Sequence, residues 1–174
     1  MEAPLAERIR PQQLEDYISQ SHLVGANGAL TQQIAKGIIP SLIFWGPPGT
    51  GKTTLAQIIS QESKRPFYTL SAINSGVKDV REVIDRVQGQ GMFSRGAILF
   101  IDEIHRWNKA QQDALLPYVE SGLITLIGAT TENPSFEVIS ALLSRSRIFV
   151  LQGLDVEDLK KILARGEKQL KKSL

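Results

Sequence analysis

The sequence has no cysteine. That excludes disulfides, thiolate nucleophiles and cysteine-ligated zinc, and it fits a reducing compartment. No uninterrupted apolar run approaches the ~20 residues that a membrane helix needs. The opening residues, Met1-Glu2-Ala3-Pro4, carry no basic-then-apolar signal segment. A cytoplasmic protein with no membrane partner is the expectation. An excess of charge of one sign is missing as well. The 20 Lys and Arg stand against 18 Asp and Glu, so bulk charge singles out no nucleic-acid partner. Only a local patch, acting over a Debye length of ~8–10 Å, would do so. Internal repeats and low-complexity stretches are also lacking.

What remains is a chain of 174 residues, enough for one domain with a single buried core. Leu14 to Val24 reads as an irregular arm leading into a short helix, and Ala29 to Lys36 as a helix ended by Gly37. Ser41 to Trp45 is an apolar run of strand length, followed by glycines and prolines. Thr53 to Glu62 has helical spacing, with Leu55, Ile58 and Ile59 on one side. Phe67 to Leu70 reads as a second strand, and Val80, Val83, Ile84 and Val87 recur as on a helix. Ala97 to Ile101 is unbroken apolar sequence, which predicts a strand buried on both faces of a parallel sheet. A helix over Ala110 to Val119, with Leu115 and Leu116 inward, precedes a strand over Ile124 to Ala129. A helix over Phe136 to Leu143 precedes a last strand over Ile148 to Leu151. Strand and helix alternate throughout, so the class is α/β with a five-stranded parallel sheet. Val156 to Leu174 forms a basic amphipathic helix with Ile162, Leu163 and Leu170 on its apolar side. Its charged face is read as solvated, the alternative being a nucleic-acid or membrane surface.

Gly46-Pro47-Pro48-Gly49-Thr50-Gly51-Lys52-Thr53 matches the phosphate-loop pattern at every fixed position. Glycines let successive backbone N–H groups turn toward anionic oxygens where a side chain would collide. The helix that follows offers its unpaired N–H groups and dipole to phosphate. Lys52 is of the length to reach the β- and γ-phosphates of ATP, and the Thr53 hydroxyl is placed for Mg2+. The second signal is Asp102-Glu103 at the carboxyl end of an apolar strand, the edge where open α/β sheets bind ligands. Asp102 is expected to hold the magnesium directly or through water. Glu103 is expected to orient and deprotonate an attacking water. The competing reading, that the pair caps the next helix, loses ground beside a phosphate loop. His105 and Trp107 read as structural.

The succession of Gly46–Thr53, Ile101-Asp102-Glu103-Ile104-His105, Ile127-Gly128-Ala129-Thr130-Thr131-Glu132-Asn133-Pro134 and Ser144-Arg145-Ser146-Arg147 resembles the AAA+ ATPases. Within them it resembles the clamp-loader-like branch, and there the replication-associated recombination protein A family, whose eukaryotic relative is the Werner helicase-interacting protein. The arm Leu5-Ala6-Glu7-Arg8-Ile9-Arg10-Pro11, with Leu14, Asp16 and Tyr17, is similar to that family's N-terminal signature.

The resemblance implies a P-loop three-layer sandwich divided into an arm over 1–25, a core over 26–153 and the first helix of a helical lid over 154–174. It implies a fragment whose remaining lid is absent, and hence weak binding and poor hydrolysis, with Ile162, Leu163 and Leu170 left exposed and prone to self-association. It assigns Thr131 to sensing the γ-phosphate, with Asn133 as the alternative. Arg145 becomes the finger that reaches a neighbouring subunit's site, although Ser144-Arg145-Ser146 stands where clamp loaders carry Ser-Arg-Cys; Arg147 is its alternative. Arg8, Ile9, Arg10 and Pro11 would line the base, with Leu23 or Val24 closing it, and Thr54 would complete the cofactor contacts. The implied activity is ATP hydrolysis with Mg2+ in a homo-oligomer acting on forked or single-stranded DNA at stalled or damaged replication forks. Lys78 and Arg81 are its candidate DNA contacts. Two alternatives stand beside it: a Holliday-junction branch-migration motor, which shares Gly128-Ala129-Thr130-Thr131, and a nucleotide-gated binding module that barely hydrolyses.

Overall fold

The computed structural model describes residues 3–91 and 95–172, so residues 173–174 of the expected closing helix lie outside the description. Five strands, β1 (Ser41–Trp45), β2 (Phe67–Ser71), β3 (Ala97–Asp102), β4 (Ile124–Thr130) and β5 (Ser146–Val150), form one sheet in the order β2-β3-β4-β1-β5. Every pairing is parallel. β3 and β4 are the unbroken apolar runs, and every residue of both is buried except Asp102 at the carboxyl end of β3. Strand alternation then divides the core. Ile98 and Phe100 face one layer with Leu42, Phe44, Leu55 and Ile59, whereas Leu99 and Ile101 face the other with Val80, Ile84 and Val87. Each such large side chain contributes roughly 1.5–3 kcal/mol on burial. Helices therefore cover both faces, giving three layers.

Before the sheet come α1 (Leu5–Arg8), a 3-10 turn (Leu14–Asp16), α2 (Ser21–Val24) and α3 (Ala29–Ala35). Then α4 (Lys52–Ser63) follows β1 and α5 (Val77–Gln88) follows β2. A 3-10 turn (Ile104–Arg106), α6 (Lys109–Asp113) and α7 (Leu116–Glu120) lie between β3 and β4. α8 (Pro134–Glu137) and α9 (Ser140–Leu143) lie between β4 and β5, and α10 (Val156–Lys172) closes the chain. No helix among the described residues is long and apolar enough to cross a membrane.

Two expected helices are broken. Ala110 to Val119 splits into α6 and α7 at Ala114-Leu115, because Pro117 has no N–H to bond back to the Asp113 carbonyl and sits instead in the first turn of a new helix. Leu115 is still buried, but Leu116 is only partly so. Phe136 to Leu143 splits into α8 and α9 at the β-branched pair Val138-Ile139, both extended. The backbone groups freed at that break are taken up by Gln112, which is 1% exposed. Its Nε2 donates to the carbonyls of Glu137 (2.9 Å) and Trp107 (3.0 Å), and its Oε1 accepts from Ile139 N–H (2.9 Å).

The closing helix also differs from expectation. Ile162 turns inward, whereas Leu163 and Leu170 remain exposed. Gly166 is the buried contact, and a Cβ there would stand 3.8 Å from Ile9 Cδ1 and 3.9 Å from Leu5 Cδ2. The inward stripe of α10 thus faces α1.

Gln112→Leu keeps the volume and removes all three hydrogen bonds, leaving buried backbone groups without partners. A urea titration should show stability lowered by about 3 kcal/mol.

Candidate nucleotide-binding site

The loop from Gly46 to Gly51 leaves β1 at the carboxyl edge of the sheet and runs into α4. Gly46 N–H donates to the Thr130 carbonyl at 3.1 Å, so the loop begins anchored to β4. A Cβ at Gly46 would lie 2.5 Å from the Leu151 carbonyl oxygen, which makes glycine obligatory there. Gly51 has φ +86°, and a Cβ on it would come within 2.5 Å of the Tyr17 hydroxyl. Thr50 is buried, and its Oγ1 donates to the Pro47 carbonyl at 3.0 Å. The Tyr17 hydroxyl donates to the Thr50 carbonyl at 2.6 Å. Burial pushes the Tyr17 phenol well above its usual pKa, which keeps it protonated and a donor. The arm therefore clamps the phosphate loop from outside.

Lys52 Nζ donates to the carbonyls of Gly46 (2.7 Å) and Pro47 (2.8 Å), curling over the loop it follows. Desolvation holds its pKa below the usual lysine value, opposed by the charges of Asp102 and Glu103. Thr53 lies in the first turn of α4 and Asp102 at the end of β3. A hydroxyl and a carboxylate are hard oxygen donors, suited to Mg2+. No group of three or more His, Asp or Glu among the described residues could hold a metal by itself. The oxygens of Thr53 and Asp102 nevertheless have the donor chemistry that the expected ion takes.

Glu103 has φ +57°, a left-handed conformation uncommon outside glycine, and its side chain makes no cap hydrogen bond to the turn it precedes. The helix-capping alternative thus finds no hydrogen bond from Glu103. Its Oε2 is 3.5 Å from His105 Nε2 and 3.9 Å from Arg106 Nε. Trp107 is structural, buried and donating from Nε1 to the Ser75 carbonyl at 2.8 Å.

A hollow of about 400 Å3 adjoins the loop at Gly49, Thr50, Gly51 and Thr54. Ile9, Arg10 and Pro11 line it, together with Tyr17, Ile18, Leu154, Ile162 and Arg165. Arg8 does not line it. Neither does Leu23 or Val24: both are buried in the core between sheet and arm. Arg165 reaches back from α10 to donate to the Asp16 carbonyl at 2.6 Å, tying helix to arm. A larger hollow of about 720 Å3 lies between the arm, α3 and α10, and no phosphate-loop residue lines it. The smaller hollow is the one continuous with the loop.

Thr131 follows the last residue of β4 and is half-buried at the same edge as Asp102. Asn133 is engaged elsewhere, accepting from Ser135 N–H at 3.0 Å as the N-cap of α8. Arg145 does not join the site. It follows α9 and borders a cleft with Ser41 and Ile124, the first residues of β1 and β4, at the opposite end of the strands. There it pairs with Glu120 at 2.8 Å. Arg147 lies on the exposed edge strand β5. Sequence reasoning missed Tyr17 as the clamp, Thr130 and His105 beneath Glu103, and Leu154, Ile162 and Arg165 around the hollow.

A phosphate-type loop between a central parallel strand and a helix, with an acidic pair ending the neighbouring strand but one, defines the P-loop nucleoside triphosphatases. Within that class the chain belongs to the AAA ATPases: the model for the ATPase family associated with various cellular activities (AAA) matches residues 42–155. The chain is 50% identical over 98% of its length to the replication-associated recombination protein A of Haemophilus influenzae, covering 38% of that protein. It is 52% identical over 94% of its length to the protein of the same name from Escherichia coli, covering 36% of it. The ATPase WRNIP1 of Dictyostelium discoideum is 51% identical over 94% of the chain, which covers 19% of that relative. The chain thus spans well under half the length of these curated relatives. Among solved structures, the RuvB Holliday junction branch migration motor of Thermotoga maritima aligns with a TM-score of 0.76 and 32% identity, over 94% of this chain and 55% of that one.

Tyr17→Phe keeps the ring against Gly51 and removes only the hydrogen bond to Thr50. ATP affinity, measured by titration of labelled nucleotide, should fall by about fivefold, the equivalent of ~1 kcal/mol.

Proposed function

We propose that this chain is the ATP-binding and ATP-hydrolysing core of a DNA-dependent ATPase that works at stalled or damaged replication forks as a cytoplasmic homo-oligomer. The observation that carries the catalytic half is Lys52, at the start of α4, lying in the field of Asp102 and Glu103 at the sheet edge where Thr131 follows β4. The replication half rests on the identity to proteins named for replication-associated recombination.

In this reading the backbone of Gly46, Pro47, Pro48, Gly49, Thr50 and Gly51 cradles the phosphates, and Lys52 exchanges its two carbonyl partners for phosphate oxygens. Thr53 and Asp102 hold Mg2+, which supplies charge neutralisation on the phosphates. Glu103 accepts the proton of the attacking water, and Thr131 contacts the transferring group. Ile9, Arg10 and Pro11 with Thr54 bound the base. Arg145, remote from its own site, serves a neighbouring subunit, where its planar fork neutralises developing phosphate charge. Lys78 and Arg81, both exposed on α5, contact DNA phosphates. Residues 154–172 begin a lid over an arm and core divided at about residues 25 and 153.

The likeness to the RuvB motor favours a second reading, branch migration. The higher identity to the recombination proteins favours the first. Phosphate release with and without forked DNA, beside displacement of a four-way junction, separates them. Fork stimulation without junction displacement supports the first reading, and efficient displacement supports the motor. ATPase activity indifferent to either DNA favours a nucleotide-gated binding module.

Lys52→Ala should weaken ATP binding by about 10- to 100-fold, the loss of one charged hydrogen-bonding group. Glu103→Gln should bind ATP normally and release phosphate about 10²–10⁴ times more slowly. Binding indifferent to Lys52 would remove the basis of the phosphate-loop assignment. The chain alone, dilute and monomeric, should turn over poorly.

A further inference from the structure

Beneath Glu103 lies a run of polar contacts that none of the roles above uses. Thr130, the last residue of β4, is 1% exposed, yet it carries a hydroxyl. That oxygen accepts from Glu132 N–H at 2.9 Å and lies 3.0 Å from His105 Nδ1. The His105 side chain is 9% exposed, and its other nitrogen, Nε2, lies 3.5 Å from Glu103 Oε2. A threonine hydroxyl has one proton to give. The Glu132 carbonyl at 3.2 Å competes for it, and Nδ1 is nearer.

With the Thr130 proton directed at Nδ1, a neutral ring carries its own proton on Nε2, facing the carboxylate. The opposite tautomer would set a ring lone pair against a negative oxygen. In that arrangement the threonine selects the form of the imidazole that attracts Glu103. Arg106 approaches the same oxygen at 3.9 Å, but its side chain is mostly in water, where such a pair is worth little. Both groups draw on Oε2 and leave Oε1 the more available proton acceptor.

We propose that His105 is a positioning residue for the hydrolytic step: ordered by Thr130, it holds Glu103 through Oε2 so that Oε1 meets the attacking water. The proposal rests on the reading of Glu103 as general base. It explains why a buried threonine and a nearly buried histidine sit side by side below a carboxylate whose backbone is in a left-handed conformation. A general base is effective only when held in reach of its proton, and a partner behind it that fixes its orientation is a common way to achieve that.

The test has a spectroscopic arm and a kinetic arm. The chain has two histidines, His22 and His105, so ring 15N spectra are assigned with His22→Gln alone. His105 should appear as the neutral Nε2–H tautomer, lose that preference in Thr130→Val, and shift in Glu103→Gln. In single-turnover phosphate release with saturating ATP, His105→Ala should slow hydrolysis by about 10–100-fold, with ATP affinity unchanged. His105→Gln, whose amide reaches the Nε2 position, should restore most of the rate. His105→Asn, whose amide reaches only the Nδ1 position, should not. In the Glu103→Gln background, His105→Ala should add no further loss.

An Nδ1–H tautomer, no response of His105 to Glu103→Gln, or rescue by Asn rather than Gln would overturn the proposal while leaving Glu103 as base. Full hydrolysis by Glu103→Gln would instead overturn the reading of Glu103, and the role of His105 with it. The spectra decide the matter even where turnover is too slow to follow.

Discussion

A polyphosphate can be gripped by backbone N–H groups only where the chain bends sharply and no side chain intervenes. The rest of this structure depends on that constraint. The bend must start from a strand that cannot move, which is why β1 is flanked on both sides, by β4 and β5. Gly46 is pressed so close to Leu151 that a methyl group would not fit, and its N–H is committed to Thr130. From outside, Tyr17 closes on Gly51 and Thr50. The loop is thus held from the sheet, from Leu151 just past β5 and from the arm, which favours a preorganised cradle.

Electrostatics at the same edge follow from partial burial. Burial disfavours the Lys52 charge, while Asp102 and Glu103 sustain it. Lys52 meanwhile rests on two neutral carbonyls, and a charged phosphate oxygen is the stronger acceptor. Lys52 thus lies in the field of both carboxylates while its own hydrogen bonds go to neutral carbonyls. Arg145 shows the contrasting arrangement: at the far end of the strands it is satisfied by Glu120, and any action on a phosphate requires another copy of the molecule to come to it.

Much of this was legible in the residues. The strands were marked by short apolar runs, because a strand covered on both faces has no polar side to interrupt it. The phosphate loop and Asp102-Glu103 were legible because their chemistry needs contiguous residues. The breaks at Ala114-Leu115 and Val138-Ile139 were missed: apolar spacing continued across them, and the side chain that replaces the lost helical bonds, Gln112, is distant in sequence from the second break. The lining of the hollow beside the phosphate loop was only half legible. Ile9, Arg10 and Pro11 came from family likeness, while Leu154, Ile162 and Arg165 arrive from α10, and no local pattern links the two ends of a chain. His105 and Thr130 were passed over for the same reason, since their meeting is a product of β3 and β4 lying side by side.

The strand order has a consequence for how the molecule comes into being on the ribosome. β2 finds β3 soon after both emerge, Phe67 beside Ile98. β1 is made before either, yet Leu42 must wait for Ile127 and Ile43 for Ile148. The strand that launches the nucleotide loop is therefore the earliest made and among the last to be enclosed. Pairings so far apart in sequence close slowly. Until β4 and β5 have been synthesised, the loop after β1 has no completed sheet to anchor it, so ATP cannot stabilise the growing chain.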